Sequence, residues 1–236
     1  MDKYGLYVHI PFCVKKCLYC DFVSGAYGLD IQNKYIEKLK KEIEDKLSLK
    51  TINVDTIFIG GGTPSIVEAN KIGEILDTIR TNCNVDSDAE ITIECNPGTV
   101  NRAKLKCYKE FGINRISFGL QSTDNDELKS LGRIHTYEDF LTSYDLARKV
   151  GFDNINIDLI SSIPNQTVEG FNKTLKLVKA LKPEHISSYS LIVEEETPFY
   201  DIYGDDTEAW KPYVRSNVVD RSKITDIMEN INVDEI

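Results

Sequence analysis

Three cysteines stand close together in Cys13-Val14-Lys15-Lys16-Cys17-Leu18-Tyr19-Cys20. The spacing C-x3-C-x2-C puts three thiolates on one short loop. A structural zinc ion normally takes four protein ligands, commonly as two separated pairs. Three thiolates with no fourth cysteine beside them leave a coordination position open on whatever they hold. A cysteine-ligated iron–sulfur cluster with one unprotected iron satisfies that arrangement. Lys15 and Lys16 add positive charge next to anionic thiolates. The plainer alternatives are reduced, unligated thiols and a zinc-binding scaffold. His9 lies in an apolar strand pattern and reads as a core or supporting residue rather than a ligand. Cys83, Cys95 and Cys107 are scattered and read as packing.

The elements that must position this loop alternate between strand and helix. Strands are expected at Tyr4–Ile10, Val54–Ile59, Ala89–Glu94, Arg115–Gly119, Phe152–Ile160 and His185–Leu191. Helical spacing covers Asp30 to Leu49, then a stretch opened by a capping box at Ser65-Ile66-Val67-Glu68 and running to about Cys83. Further helices are expected at Asn101–Phe111, Asp124–Leu131, Thr136–Val150 and Thr167–Leu181, with Gly112, Gly151 and Pro183 as stops. Such alternation predicts right-handed crossovers and a parallel sheet. The strands read as near-continuous apolar runs, as parallel strands covered on both faces should. Periodicity cannot choose between an open sheet and a barrel. In either, functional residues belong at the C-terminal strand ends. The cysteine loop follows the first strand, Gly60–Thr63 the second, Glu94 ends the third, Gln121 follows the fourth and Asp158 lies near the end of the fifth. Together they imply one large site.

Composition narrows the class of protein. The 236 residues are 41% hydrophobic and 28% charged, which excludes wholesale disorder. There are 28 Lys and Arg against 38 Asp and Glu, a net charge of −10. That balance argues against a binder of nucleic acid or anionic membrane working through bulk electrostatics. The first residues lack a signal-peptide pattern, and no apolar run is long enough to cross a bilayer. A cytoplasmic protein with reduced thiols is expected. After about residue 200 the composition shifts. Asp205-Asp206-Thr207-Glu208 reads as a linker or helix start, and Trp210 to Ile231 as an amphipathic helix.

The motifs in order resemble a known group. C-x3-C-x2-C behind strand one and Gly60-Gly61-Gly62-Thr63-Pro64 behind strand two resemble the radical S-adenosylmethionine (SAM) enzymes. Tyr7-Val8-His9-Ile10-Pro11-Phe12-Cys13, Glu94-Cys95-Asn96-Pro97-Gly98, Arg115–Gln121-Ser122, Leu131-Gly132-Arg133-Ile134-His135 and Asn156-Ile157-Asp158-Leu159-Ile160 narrow this. They look like the oxygen-independent coproporphyrinogen III oxidase family and, within it, the HemW-type heme chaperones. The resemblance implies an α/β fold, a partial (β/α)6 TIM-like barrel spanning residues 1–204. It implies a [4Fe–4S] cluster on Cys13, Cys17 and Cys20, whose open iron takes the amino and carboxylate groups of SAM. One electron would then cleave SAM to a 5′-deoxyadenosyl radical and methionine. Carried over by position, Tyr7, Gly61, Gly62, Thr63 and Glu94 look like SAM contacts. Gln121, Arg133 and Asp158 match positions facing a second SAM or the substrate. Arg133 also reads as an ordinary helix-end cation, Asp158 as a polar end to a core strand, and Tyr19 as either cluster shield or packing.

Two departures from the oxidases point to the chaperone branch. The oxidases carry a fourth cysteine two residues after the third, where this chain has Phe22. They also carry a long segment before strand one. The chaperone-type relatives bind heme and hand it to an acceptor protein, and a reductant protein supplies the electron. His135 is one candidate heme ligand, with a loop-bonding role as the alternative. The resemblance fades after Thr197-Pro198-Phe199-Tyr200, and a His-Asn-x-x-Tyr-Trp stretch of the relatives is not found. The expectation is a shortened chain with residues 205–236 a divergent tail and the usual C-terminal domain absent. Three readings follow: heme chaperone, coproporphyrinogen oxidase, or catalytically inactive remnant.

Overall fold

The structure, a computed structural model, describes residues 3–47 and 52–204. The segments at 205–208 and 210–231 lie outside the described residues, as do the last turn expected of the first helix and the divergent tail. Six strands pair in sequence order, every pair parallel: β1 (Lys3–Ile10), β2 (Asn53–Gly61), β3 (Asn84–Cys95), β4 (Arg115–Gln121), β5 (Ile155–Ser161) and β6 (His185–Ser190). The sheet curls into a half-barrel with helices on its outer face. Those are α1 (Leu29–Leu47), α2 (Ala69–Asn82), α3 (Arg102–Glu110), α4 (Asn125–Ser130), α5 (Tyr137–Val150) and α6 (Val168–Ala180), followed by a short α7 (Pro198–Tyr203).

The strands are not apolar on both faces, contrary to the sequence expectation. Ile91, Ile93, Ile116, Phe118, Ile155 and Ile157 are buried in the main core with α2, α3, α5 and α6 side chains. Glu94, Ser117, Asn156 and Asp158, each directly after one of these core residues, line a cavity on the concave face. The period-2 alternation is therefore real, and it divides a packed face from a polar one. A half-barrel leaves its inner face to a ligand rather than to side-chain layers.

Local signals mostly hold. Thr136 and Asp139 form a reciprocal capping box at α5, Asn101 and Thr167 cap α3 and α6, and Gly151 closes α5 in the left-handed region at φ 93°. The Ser65–Glu68 capping box does not form. A 3-10 turn occupies Pro64–Ile66, and α2 begins only at Ala69 with no side-chain cap from Glu68. Ser65 is instead drawn inward, its hydroxyl against Thr99 Oγ1 at 2.5 Å and accepting from the Asn96 N–H at 3.2 Å. A buried hydroxyl with two partners there outweighs a surface cap. β3 starts five residues early, because Asn84 and Val85 pair with Asn53 and Val54 ahead of a register shift.

Candidate functional site

A cavity of about 570 Å³ opens at the C-terminal edge of the sheet. Cys13, Cys17 and Cys20 line it, and so do Gly61, Gly62, Thr63, Glu94, Gln121, Arg133 and Asp158. Ten of the eleven residues expected from sequence thus share one chamber. Tyr7 does not line it. It lies exposed on the concave side of β1, stacked on Phe58 at 6.1 Å with its hydroxyl 3.1 Å from His9 Nδ1, and Phe58 is the ring that reaches the cavity.

The cysteine loop is tied at several points. The Cys13 N–H donates to Gly25 O at 2.9 Å and the Gly25 N–H to Pro11 O at 3.0 Å. The Leu18 N–H donates to Leu131 O, and Leu18 O accepts from the Phe199 N–H, each at 3.0 Å. Leu18 and Tyr19 pack against a second, smaller apolar cluster of Leu131, Ile160, Ile163, Leu191 and Phe199. Gly132 makes this approach possible. It sits at φ 76°, and a Cβ there would lie 2.8 Å from Leu18 Cγ.

The glycine run after β2 presses against the same loop. The Gly62 N–H donates to Ile10 O at 2.8 Å and the Thr63 N–H to Phe12 O at 2.7 Å. Gly61 has φ 117°, and a Cβ on Gly62 would meet Phe12 backbone at 2.7 Å. From Thr63 a polar chain runs across the chamber. Its hydroxyl is 3.7 Å from Cys13 Sγ and accepts from Asn96 Nδ2 at 2.9 Å. Asn96 Oδ1 accepts from Arg133 Nη1 at 3.0 Å, and Arg133 Nη2 donates to the Tyr19 hydroxyl at 2.7 Å. Arg133 is therefore not a solvent-facing helix-end cation. Its Nε is buried and has no acceptor. Burial pushes the Tyr19 hydroxyl up to about 12, against the opposing pull of the Arg133 charge. Burial likewise raises the Cys17 thiol.

Glu94 faces the glycines. The Gly61 N–H donates to its Oε2 at 3.0 Å. Burial raises its proton affinity to about 7, the Gly61 bond opposes, and the Asp158 charge adds to the rise. Gln121 is buried at φ 73°, a strained end to β4. Asp158 accepts from Ser117 Oγ and from Asn156 Nδ2, each at 2.8 Å. His135 is buried with Nε2 3.2 Å from Leu120 O of β4, and burial lowers its pKa to about 4. His9 is bound through Nε2 to Val23 O at 2.9 Å.

Asn96, Ser117, Asn156 and Ser187 also line the cavity and were not anticipated. Ser117, Asn156 and Ser187 are polar positions inside β4, β5 and β6, and Asn96 directly follows β3. The donor set suits a multi-iron cluster. Cys13, Cys17 and Cys20 all line the cavity, and three thiolates leave one iron of a cysteine-ligated cluster open to a ligand. The buried Arg133 Nε, without an acceptor at the wall of the cavity, suits a ligand that brings a carboxylate.

An all-parallel half-barrel with three cysteines behind its first strand defines the class. The chain belongs to the radical SAM superfamily, whose family model matches residues 7–178. Among curated relatives it is similar to the heme chaperone HemW of Bacillus subtilis, 40% identical over 199 residues, 83% of this chain and 52% of that one. The heme chaperone HemW of Haemophilus influenzae is 42% identical over 201 residues, again 83% of this chain and 52% of the relative. The solved structure of the coproporphyrinogen III oxidase HemN from Escherichia coli, a radical SAM enzyme, matches with a TM-score of 0.77 at 29% identity, covering 95% of this chain and 50% of that one. The chain thus spans about half the length of the curated relatives it matches. Among the described residues no helix is long and apolar enough to cross a membrane.

Proposed function

We propose that this chain is the radical SAM barrel of a heme chaperone. Cys13, Cys17 and Cys20 hold a [4Fe–4S] cluster, SAM occupies the cavity, and heme is bound and passed to an acceptor protein. When bound, the cluster supplies the electron for reductive cleavage of SAM. The chain's residues do the rest. Gly61 and Gly62 let the turn after β2 close onto the cysteine loop and so shape the wall of the cavity that SAM occupies. Arg133 turns its unpartnered Nε to a carboxylate. Glu94 accepts from ribose hydroxyls once ionised. Thr63 and Asn96 hold the cysteine wall and the Arg133 guanidinium at a fixed separation. The single observation that carries this reading is that the three cysteines and these residues line one chamber.

Greater identity to the HemW relatives than to HemN favours chaperone over oxidase. Phe22 in place of a fourth cysteine supports the same choice, and it lines the cavity mouth at 63% exposed. Reconstitution without oxygen should load about four irons per chain, as one [4Fe–4S] cluster requires. Cys17→Ala should abolish loading, and retained iron would overturn the ligand assignment. Heme titration of the loaded protein should give one heme per chain with no decarboxylation of coproporphyrinogen. Rapid decarboxylation would install the oxidase reading, and absent 5′-deoxyadenosine release under reducing conditions the inactive one.

A further inference from the structure

One polar cluster on the concave face is left without a role by that reading. It spans three neighbouring strands. Ser117 on β4 pairs in register with Asn156 on β5, and Asn156 with His185 on β6. Asp158 lies one step nearer the cavity mouth on β5, in register with Ser187.

We propose that Asn156, held by His185 and Ser187, is a positioning residue that with Ser117 fixes the Asp158 carboxylate toward the ligand in the cavity. The hydrogen bonds define the direction of the relay. Asn156 Nδ2 donates to Asp158 Oδ1 at 2.8 Å and to Ser117 Oγ at 2.7 Å. Ser117 Oγ donates to Asp158 Oδ2 at 2.8 Å. On the other side, Asn156 Oδ1 accepts from Ser187 Oγ at 3.0 Å and from His185 Nδ1 at 2.5 Å. A carboxylate only accepts, so the amide must turn its NH2 toward Asp158 and its oxygen toward β6. His185 must then carry its proton on Nδ1.

Both donors and both lone pairs of the Asn156 amide are used. That matters because Asn156 is only 2% exposed and Ser117 4%, where an unmet polar group is costly. A fully satisfied network of this kind is rigid. Each Asp158 oxygen takes one bond from the sheet floor and keeps lone pairs for the cavity it lines. Such a carboxylate suits a ligand bearing neighbouring hydroxyls or an ammonium group. Had the cluster served the sheet alone, backbone pairing would already satisfy these strands, and apolar residues would pack as well.

The inference rests on the reading of the cavity as a SAM chamber, and its test has two independent arms. In the cluster-loaded full chain, SAM affinity is read by equilibrium dialysis. Asn156→Ala should weaken it about tenfold, the worth of one bond to a charged group. In an Asp158→Asn background the same change should cost less than about twofold more, since coupled residues are not additive. An unchanged affinity for Asn156→Ala, or equal losses in both backgrounds, overturns the relay. His185 is exposed, so His185→Ala keeps the fold; it should lose about threefold, and His185→Gln, which restores an N–H donor, should recover most of it. The second arm uses ligand-free protein. The Asn156 side-chain amide protons should exchange with solvent slowly, and faster in Ser117→Ala, which removes the acceptor of one of them. Fast exchange in the unaltered chain overturns the relay whatever SAM does. Slow exchange with no SAM binding by the unaltered chain overturns the SAM reading, and the ligand role with it, while keeping the network.

Discussion

Glu94 is pulled toward neutrality by burial and toward charge by the Gly61 N–H. Its folded value of about 7 stands above the unfolded 4.5. Its contribution to stability is therefore complete below pH 4.5 and is lost as pH rises through about 7. Glu94→Gln removes that loss. The variant should be more stable than the unaltered chain at pH 8 by on the order of 2–3 kcal/mol and level with it near pH 4. Denaturant unfolding at the two pH values checks this; parallel pH slopes would refute it. The same variant should bind SAM more weakly at pH 8, where only the carboxylate is a strong acceptor. At this scale the sequence was most legible where chemistry leaves few alternatives. Three thiols on one loop and a glycine run have few other uses. Asn156 and Ser117 were illegible, because an isolated polar residue in a strand looks the same whether it faces solvent or a ligand.

Elements position the cysteine loop through two contacts that a reader of sequence sees only in part. Gly132 was visible as a motif glycine, but its reason is Leu18, more than a hundred residues earlier in the chain. Gly132→Ala meets both the left-handed backbone and the 2.8 Å approach to Leu18. It should cost about 1–3 kcal/mol and lower iron retained after gel filtration without oxygen. Helix α7 was not anticipated, although Thr197-Pro198 is an ordinary helix opening and Thr197 Oγ1 does accept from the Tyr200 N–H. Phe199 is 1% exposed and stacks edge-on to Tyr19 at 6.3 Å. Phe199→Ala should cost about 3–5 kcal/mol and loosen the loop beside Cys20, read as faster loss of iron to a chelator. An unchanged chelation rate would show that α7 packs without holding the loop. Strand order and type were legible from period and glycine stops. The misplaced capping box was not, since Ser65 answers to Asn96 and Thr99 on a different element.

For the whole molecule, the half-barrel divides its labour between two faces. The convex face supplies the folding energy through the main core, and the concave face carries the polar groups. Ligand binding should therefore add stability without repacking the core. At a hundredfold excess over the dissociation constant, SAM should contribute about 2.7 kcal/mol to the cluster-loaded protein. That corresponds to a melting rise of about 5–10 °C for a chain of this size. Calorimetry with and without SAM checks it, and an equal rise in the Cys17→Ala protein would deny the cluster a part in SAM binding. The double tie on Leu18 has a consequence in time. Strands that pair in sequence order let the sheet assemble as it is synthesised, from the N-terminus onward. The cysteine loop emerges first, yet the residue that donates to Leu18 O is Phe199. At roughly 5–20 residues per second, about ten to forty seconds separate the two. During that interval the three thiols are translated while the loop that carries them still lacks its tie to Phe199.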